Sequence, residues 1–341
     1  MPGIAILYLW LMGQRKAVLW CTATVVLSMS LLITFRYLYY GYPLPNTFYA
    51  KIDGSLTDRL TGAWVQFKNI LFEKGLFLYL MIFIAGAIWA LIRMIFRKPS
   101  LSAASGFSLF LFFFWLAYWF YVGGDVFVDR FLIILFPLGM FICWDLIRYW
   151  TTNCMVYILT FLTLLGWQLS PILRDDRFKY AYPKYDMWVD LGKFIGERYP
   201  GKVLAAGGVG KIPFYSRLTT IDMLGLCDVK IGHEKVKKFI VGHSKFNPEY
   251  VLSRKPDLIA LWIDHRMNYE FWFPPKQSEA YGYRLKYLVY ANNLSCGKDI
   301  IKADSFTNSQ IKNLWSKGYR YAVLEKVVSG NIINPDDILA H

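Results

Sequence analysis

Two short strings of this 341-residue chain place ionisable and polar groups where apolar runs end. The first is Gly123-Gly124-Asp125-Val126-Phe127-Val128-Asp129-Arg130, which joins two apolar runs and holds two carboxylates and a guanidinium. Charged groups at the edge of hydrocarbon are costly unless paired or turned toward a wet cavity, so Asp125, Asp129 and Arg130 are functional candidates by default. A local pair of Arg130 with either aspartate, ending the helices, is the plainer alternative. The second string is Tyr39-Tyr40-Gly41-Tyr42-Pro43-Leu44-Pro45-Asn46-Thr47-Phe48-Tyr49-Ala50-Lys51. Its prolines fix φ and push the preceding residues to extended geometry, giving a stiff segment rich in tyrosine. It reads either as an interfacial aromatic belt or as a wall for a sugar or isoprenoid chain, with Tyr40 in the wall and Asn46 and Lys51 hydrogen bonding. A carboxylate able to take a hydroxyl proton, beside cations such as Lys51, Arg130 and Arg36, suits transfer from a phosphate-linked sugar. There an oxocarbenium-like state and a departing phosphate must both be stabilised.

The elements that would position these strings read as membrane spans. Apolar runs cover Ala17 to Phe35, Gly75 to Phe96, Ala103 to Val122, Phe131 to Trp150 and Met155 to Ser170, and about 20 residues cross a hydrocarbon layer of about 30 Å. Gly3 to Gly13 reads as the end of a further helix, because neither a basic leader nor a small-residue cleavage pattern accompanies it. The expectation is a polytopic α-helical membrane domain over residues 1–170, with five spans plus a partial one and incomplete at its N-terminus. An extracytoplasmic α/β domain follows over residues 171–341. Basic residues in the short connections, Arg15-Lys16, Arg97-Lys98 and Arg148, set those loops in the cytoplasm. Arg36 to Lys74, Gly123 to Arg130 and the tail then face outward from the cytoplasmic membrane.

Composition agrees with a lipid-contacting chain: 56% hydrophobic and 18% aromatic residues, with a formal net charge of +14. Residues 1–170 carry 12 Lys or Arg against 6 Asp or Glu, and the remainder 26 against 18. A basic tail beside a membrane attracts anionic headgroups or phosphate-bearing substrates. Its charges are scattered among acids instead of forming an arm, which argues against nucleic acid. Cys227 and Cys296 share the tail, where two positions permit a disulfide without establishing one.

Within the tail, Met187 to Arg198 has apolar residues at helical spacing and is stopped by Pro200-Gly201. Val203 to Ala206, Leu218 to Leu224, Asp257 to Ile263, Tyr283 to Tyr290 and Tyr321 to Val328 read as strands, with a helix at Ser309 to Lys317. Alternating strands and helices predict a small α/β sandwich. Gly207-Gly208-Val209-Gly210 lacks the third glycine of a dinucleotide fingerprint, leaving a turn that needs backbone room. His233 and His243 lack a third ligand at metal spacing, so no resident metal or cofactor is expected.

Both strings, with Asp222-Met223-Leu224-Gly225-Leu226-Cys227-Asp228, Gly242-His243-Ser244-Lys245 and Arg254-Lys255-Pro256-Asp257, resemble bacterial polytopic glycosyltransferases of the GT-C class. The similarity is to the cell-wall terminal arabinofuranosyltransferase-like group. It implies a polyprenyl-phosphate sugar as donor, a cell-envelope glycan or glycolipid as acceptor, and membrane lipid as surroundings. It also places His243 and Lys245 in substrate contact. Cys227 stands where that group has Thr, and Ser244 where it has Glu. The group's acidic first outward loop has no counterpart, so a partner subunit or an upstream frame would supply the missing N-terminal half, or the chain would be a truncated or non-catalytic accessory that binds glycan or lipid.

Overall fold

The computed structural model describes residues 2–52, 54–73, 81–86, 88–89, 92, 96, 103–125, 131–132, 134–150, 155–156, 158–159, 162–163, 186–236, 239–242, 244–270, 275–291 and 297–327. The chain divides into two compact units, Met1–Lys179 with Val236–Ser244, and Tyr180–Lys235 with Lys245–His341.

The first unit is helical. Helix α1 (Pro2–Leu11) turns at Gly13, whose φ of 72° is in the left-handed region, into α2 (Arg15–Tyr40). Helix α2 has no buried residue and exposes Leu19, Trp20, Leu27, Leu31 and Leu38. Short α3 (Asn46–Lys51) leads to α4 (Leu56–Glu73), and α5 (Ala103–Val122) and α6 (Leu135–Trp150) follow. Their core joins Ala63 and Phe67 of α4 to Phe112 and Trp119 of α5 and Ile142 of α6, with Phe83.

This arrangement corrects the polytopic expectation. Among the described residues, one helix, Arg15–Tyr40, is long and apolar enough to cross a membrane. Its 26 residues extend about 39 Å at helical rise. The run Ala103 to Val122 does form α5, but Leu109, Phe112 and Trp119 are buried in a protein core. The run Phe131 to Trp150 yields a helix of 16 residues, Leu135–Trp150, short of a span of about 20. An apolar run serves a packed helical core as well as lipid, and periodicity alone does not separate the two. Most of Gly75 to Phe96 and of Met155 to Ser170 lies outside the described residues.

The second unit is built on a six-stranded mixed sheet ordered β2-β1-β3-β6-β4-β5. Its strands are β1 (Val203–Ala206), β2 (Thr219–Asp222), β3 (Leu258–Trp262), β4 (Tyr283–Tyr290), β5 (Ile300–Lys302) and β6 (Tyr319–Lys326). Strand β1 pairs parallel with β2 and β3, and the other pairings are antiparallel. Helix α7 occupies the expected Met187–Arg198, capped by Asp186, whose carboxylate accepts from Trp188 and Val189 N–H. Short helices α8 (Lys211–Ser216), α9 (Val229–Gly232), α10 (Pro248–Ser253) and α11 (Pro275–Ala280) precede α12 (Asn308–Ser316). Thr307 and Gln310 close α12 with a capping box. Fully buried Leu204, Ala206, Leu258 and Ala260 pack with Leu191 and Ile195 of α7 on one side of the sheet. Ala205, Ile259, Leu261 and Leu288 form the core on the other, as alternation along a strand requires.

Candidate functional site

The tyrosine-rich string begins where α2 ends. Gly41 takes the left-handed cap conformation at φ 76° and donates its N–H to the Tyr37 carbonyl, a conformation that glycine adopts without a Cβ penalty. Extended Pro45 then starts α3. Tyr40 is exposed, stands edge-on to Tyr39 with ring centres 4.7 Å apart, and lies under the Arg36 guanidinium at 5.3 Å. Tyr42 and Phe48 both contact Tyr49 edge-on, at 6.0 and 5.8 Å. Asn46 is the first residue of α3 and Lys51 its last.

The glycine-rich string begins where α5 ends. Gly123 and Gly124 take φ of 89° and 82°, two successive left-handed residues that turn the chain sharply. Helix α4 holds this turn from below. Arg59 donates from Nη1 to the Tyr121 carbonyl at 3.0 Å, and its guanidinium lies 4.7 Å from the Tyr121 ring centre. Gln66 accepts from the Asp125 N–H at 3.0 Å. Gly124 sits directly against the Gln66 amide, so a side chain there would collide with it.

The outcome is a buried carboxylate beside an ammonium. Asp125 is 4% exposed, and its Oδ1 lies 4.0 Å from Nζ of Lys51, whose side chain is 37% exposed. That separation makes a charge pair and exceeds hydrogen-bond length. The two strings, read separately in the sequence, therefore meet through Lys51 and Asp125.

Segment Val236–Ser244, which belongs to this unit although it interrupts the second in sequence, completes the surroundings. The Phe239 ring rests on Gly54, Gly62 and Gly123, where added Cβ atoms would stand 3.2, 2.8 and 2.8 Å from it. Ser244 ties the segment by accepting from Ile240 N–H at 3.0 Å and donating to Ile240 C=O at 2.7 Å. Gln66, Arg59 and Phe239 were not legible as site residues. Their only sequence signal is the set of glycines at 54, 62 and 123, whose shared neighbour becomes visible in three dimensions.

Of the other expected site residues, Asp129, Arg130 and His243 lie outside the described residues. Lys245 belongs to the α/β unit, where it is 4% exposed and donates to the Gly232 carbonyl at 2.9 Å. The motif residues around it support the local chain. Asp222 accepts from Leu224 N–H at 2.9 Å and Cys227 N–H at 2.6 Å, and burial holds its carboxyl above the usual range despite these bonds. Gly225, at φ 71°, leaves room for the Gly232 backbone. Asp228 caps α9 and accepts from the Tyr250 hydroxyl at 3.2 Å. Asp257 binds Val203 N–H at 2.8 Å, fixing the start of β1. Cys227 carries a free thiol, and Cys296 lies outside the described residues.

Residues 176–324 match a family model described as "Domain of unknown function (DUF8728)". Neither the curated proteins nor the solved structures hold a match to the chain. The matched region falls almost wholly on the mixed-sheet unit, and the Lys51 and Asp125 pair lies outside it.

Proposed function

We propose that this chain is a membrane-anchored glycosyltransferase, or part of one, that moves a sugar from a polyprenyl-phosphate donor to a cell-envelope glycan or glycolipid on the outer face of the cytoplasmic membrane. The observation that supports it is the Lys51 and Asp125 pair, a buried carboxylate and a half-exposed ammonium 4.0 Å apart, the ammonium borne by the last residue of the short helix that follows an aromatic, proline-stiffened loop. In this reading the donor phosphate engages Lys51 and draws it from Asp125. The bond between the anomeric carbon and the phosphate oxygen breaks, and the polyprenyl phosphate leaves with the electron pair, stabilised by Lys51. The acceptor hydroxyl forms the new bond to the anomeric carbon, and its proton passes to Asp125. Exposed Tyr40, Tyr42 and Phe48 supply the apolar wall for the isoprenoid or the sugar face. Helix α2, with its exposed leucines, provides the anchor. The resemblance of both strings to the arabinofuranosyltransferase-like group is in keeping with this chemistry.

A second reading takes its weight from the burial of Asp125. At 4% exposure the carboxylate serves the turn as well as it would an incoming hydroxyl, and the chain is then a non-catalytic accessory that binds glycan or lipid. Reconstitution into liposomes carrying a lipid-linked sugar separates the two. The transferase reading expects release of polyprenyl phosphate by the wild-type chain, lost in Lys51→Ala. Donor binding without any release by the wild-type chain supports the accessory.

A further inference from the structure

In the α/β unit, the chain leaving β3 makes a tight loop that opens a cavity. The Asp264 carboxylate accepts from Arg266 N–H and Asn268 N–H, both at 2.8 Å, and from the Asn268 amide at 3.3 Å. Burial works to raise this carboxyl, but the bonds from Asn268 and Arg266 outweigh it and hold it below the usual range. Within the loop Met267 takes φ 64°, a left-handed conformation unusual for a residue with a side chain. It returns through a bridge between Ile263 and Tyr269.

The cavity behind it measures about 190 Å³ and lies among this loop, α11, β4 and the start of α12. Cavities of about 150 Å³ accept a six-membered ring, so one ring of this size fits. The apolar part of the lining comes from Tyr269, Tyr283, Phe306, Leu285 and Ile311. The Tyr283 hydroxyl donates to the Pro256 carbonyl at 2.7 Å, which fixes the ring. Burial, with Glu279 nearby, pushes the Tyr269 phenol up to about 12, so it remains a neutral donor.

The polar part of the lining has a particular composition. Glu279 offers acceptors, Arg284 only donors, and Asn308 both. Asp304 is a further acceptor, kept ionised by Lys302 at 3.1 Å and Lys286 at 3.8 Å. Two carboxylates and one guanidinium lie on the lining, Lys286 and Lys302 stand beside Asp304, and Glu325 lies 2.8 Å from Lys286, so three anionic and three cationic groups offset one another and favour a neutral occupant. Vicinal hydroxyls, which donate and accept at once, match such mixed partners. The C–H face of a sugar ring matches an aromatic floor.

We infer that this cavity binds one saccharide ring, making the α/β unit a glycan-holding module. The inference is independent of the Lys51 and Asp125 pair, because every lining residue lies in the second unit.

The test uses the full chain in micelles of a zwitterionic detergent free of sugar. Saturation-transfer NMR and calorimetry are run with methyl glycosides of hexopyranoses and pentofuranoses, and with inorganic phosphate. At least one glycoside should bind saturably. Tyr269→Ala should weaken it about tenfold, and Glu279→Gln and Asn308→Ala about threefold or more each. If Tyr269→Ala does not fold, the two substitutions of exposed polar residues decide alone. Saturation by no glycoside, binding unaltered in both Glu279→Gln and Asn308→Ala, or equal competition by phosphate would overturn the inference.

Discussion

The ring of Phe239 occupies the space that a side chain on Gly62 would need, with Cε1 standing 2.8 Å from the position of a Cβ there. The same ring meets Gly54 and Gly123, so one aromatic side chain joins the start of α4, its second turn and the turn that carries Asp125.

Gly62→Ala should therefore destabilise the chain by about 1–3 kcal/mol, because the new methyl group overpacks the Phe239 socket. Val241, 3.1 Å from the same point, closes the other escape route. In a Phe239→Ala background the same substitution should cost much less, as expected for two residues sharing one space. Urea unfolding of the four variants in micelles measures this coupling. Equal costs in both backgrounds would show that the two residues do not touch.

Gln66→Leu removes the partner of the Asp125 N–H while conserving bulk. An unsatisfied donor beside a buried carboxylate should cost about 1–3 kcal/mol. Hydrogen exchange of the Asp125 amide should accelerate with it. Unchanged protection of that amide would mean that Gln66 does not hold the turn.

How much of this was legible depends on the range of each contact. Helix α7 and strand β4 were readable because helical apolar spacing, the stop at Pro200-Gly201 and a β-rich composition over Tyr283–Tyr290 are local signals. Asp125 stood out because a carboxylate ending an apolar run is rare. The partnership of Asp125 with Gln66 spans 59 positions, and nothing in either local sequence announces it. Spans were over-read for a related reason. The stretch holding Leu109, Phe112 and Trp119 is apolar all round, and only the packed neighbours reveal that those residues face protein. The approach of the Lys245 ammonium to the Gly232 carbonyl is likewise fold-dependent and is not announced by its motif.

Acidification should weaken the α/β unit. In Asp257, burial would raise the carboxyl, but the Val203 N–H and Lys202 outweigh it and hold it below the ordinary 3.8. Asp264 is depressed in the same sense. A carboxyl lowered by folding contributes stability above its unfolded pKa and loses it as pH falls through the folded value. Glu270, pushed up to about 7 by burial, works in the opposite sense and adds stability as pH falls from about 7 toward its ordinary 4.5, and Asp222, also raised by burial, offsets part of the loss. The urea midpoint should fall between about pH 5 and about pH 2, and Asp257→Asn should make that fall shallower. An identical pH dependence in the variant would refute the assignment.

Arg217 closes α8 in the left-handed conformation, at φ 56°, and its side chain is exposed. Arg217→Gly should therefore stabilise the unit by about 0.5–1 kcal/mol by removing the Cβ penalty at a helix cap. Thermal unfolding checks the sign, and a lowered midpoint would show that the arginine makes a contact worth more than its strain.

The most direct test of the functional account is the rate of sugar transfer from a polyprenyl-phosphate donor by Asp125→Asn in liposomes, set against the wild-type chain. With Asp125 as proton acceptor, turnover should fall about 10²–10⁴-fold while donor binding through Lys51 persists and the unfolding midpoint stays near wild type. Turnover equal to wild type in a folded Asp125→Asn protein would contradict the account.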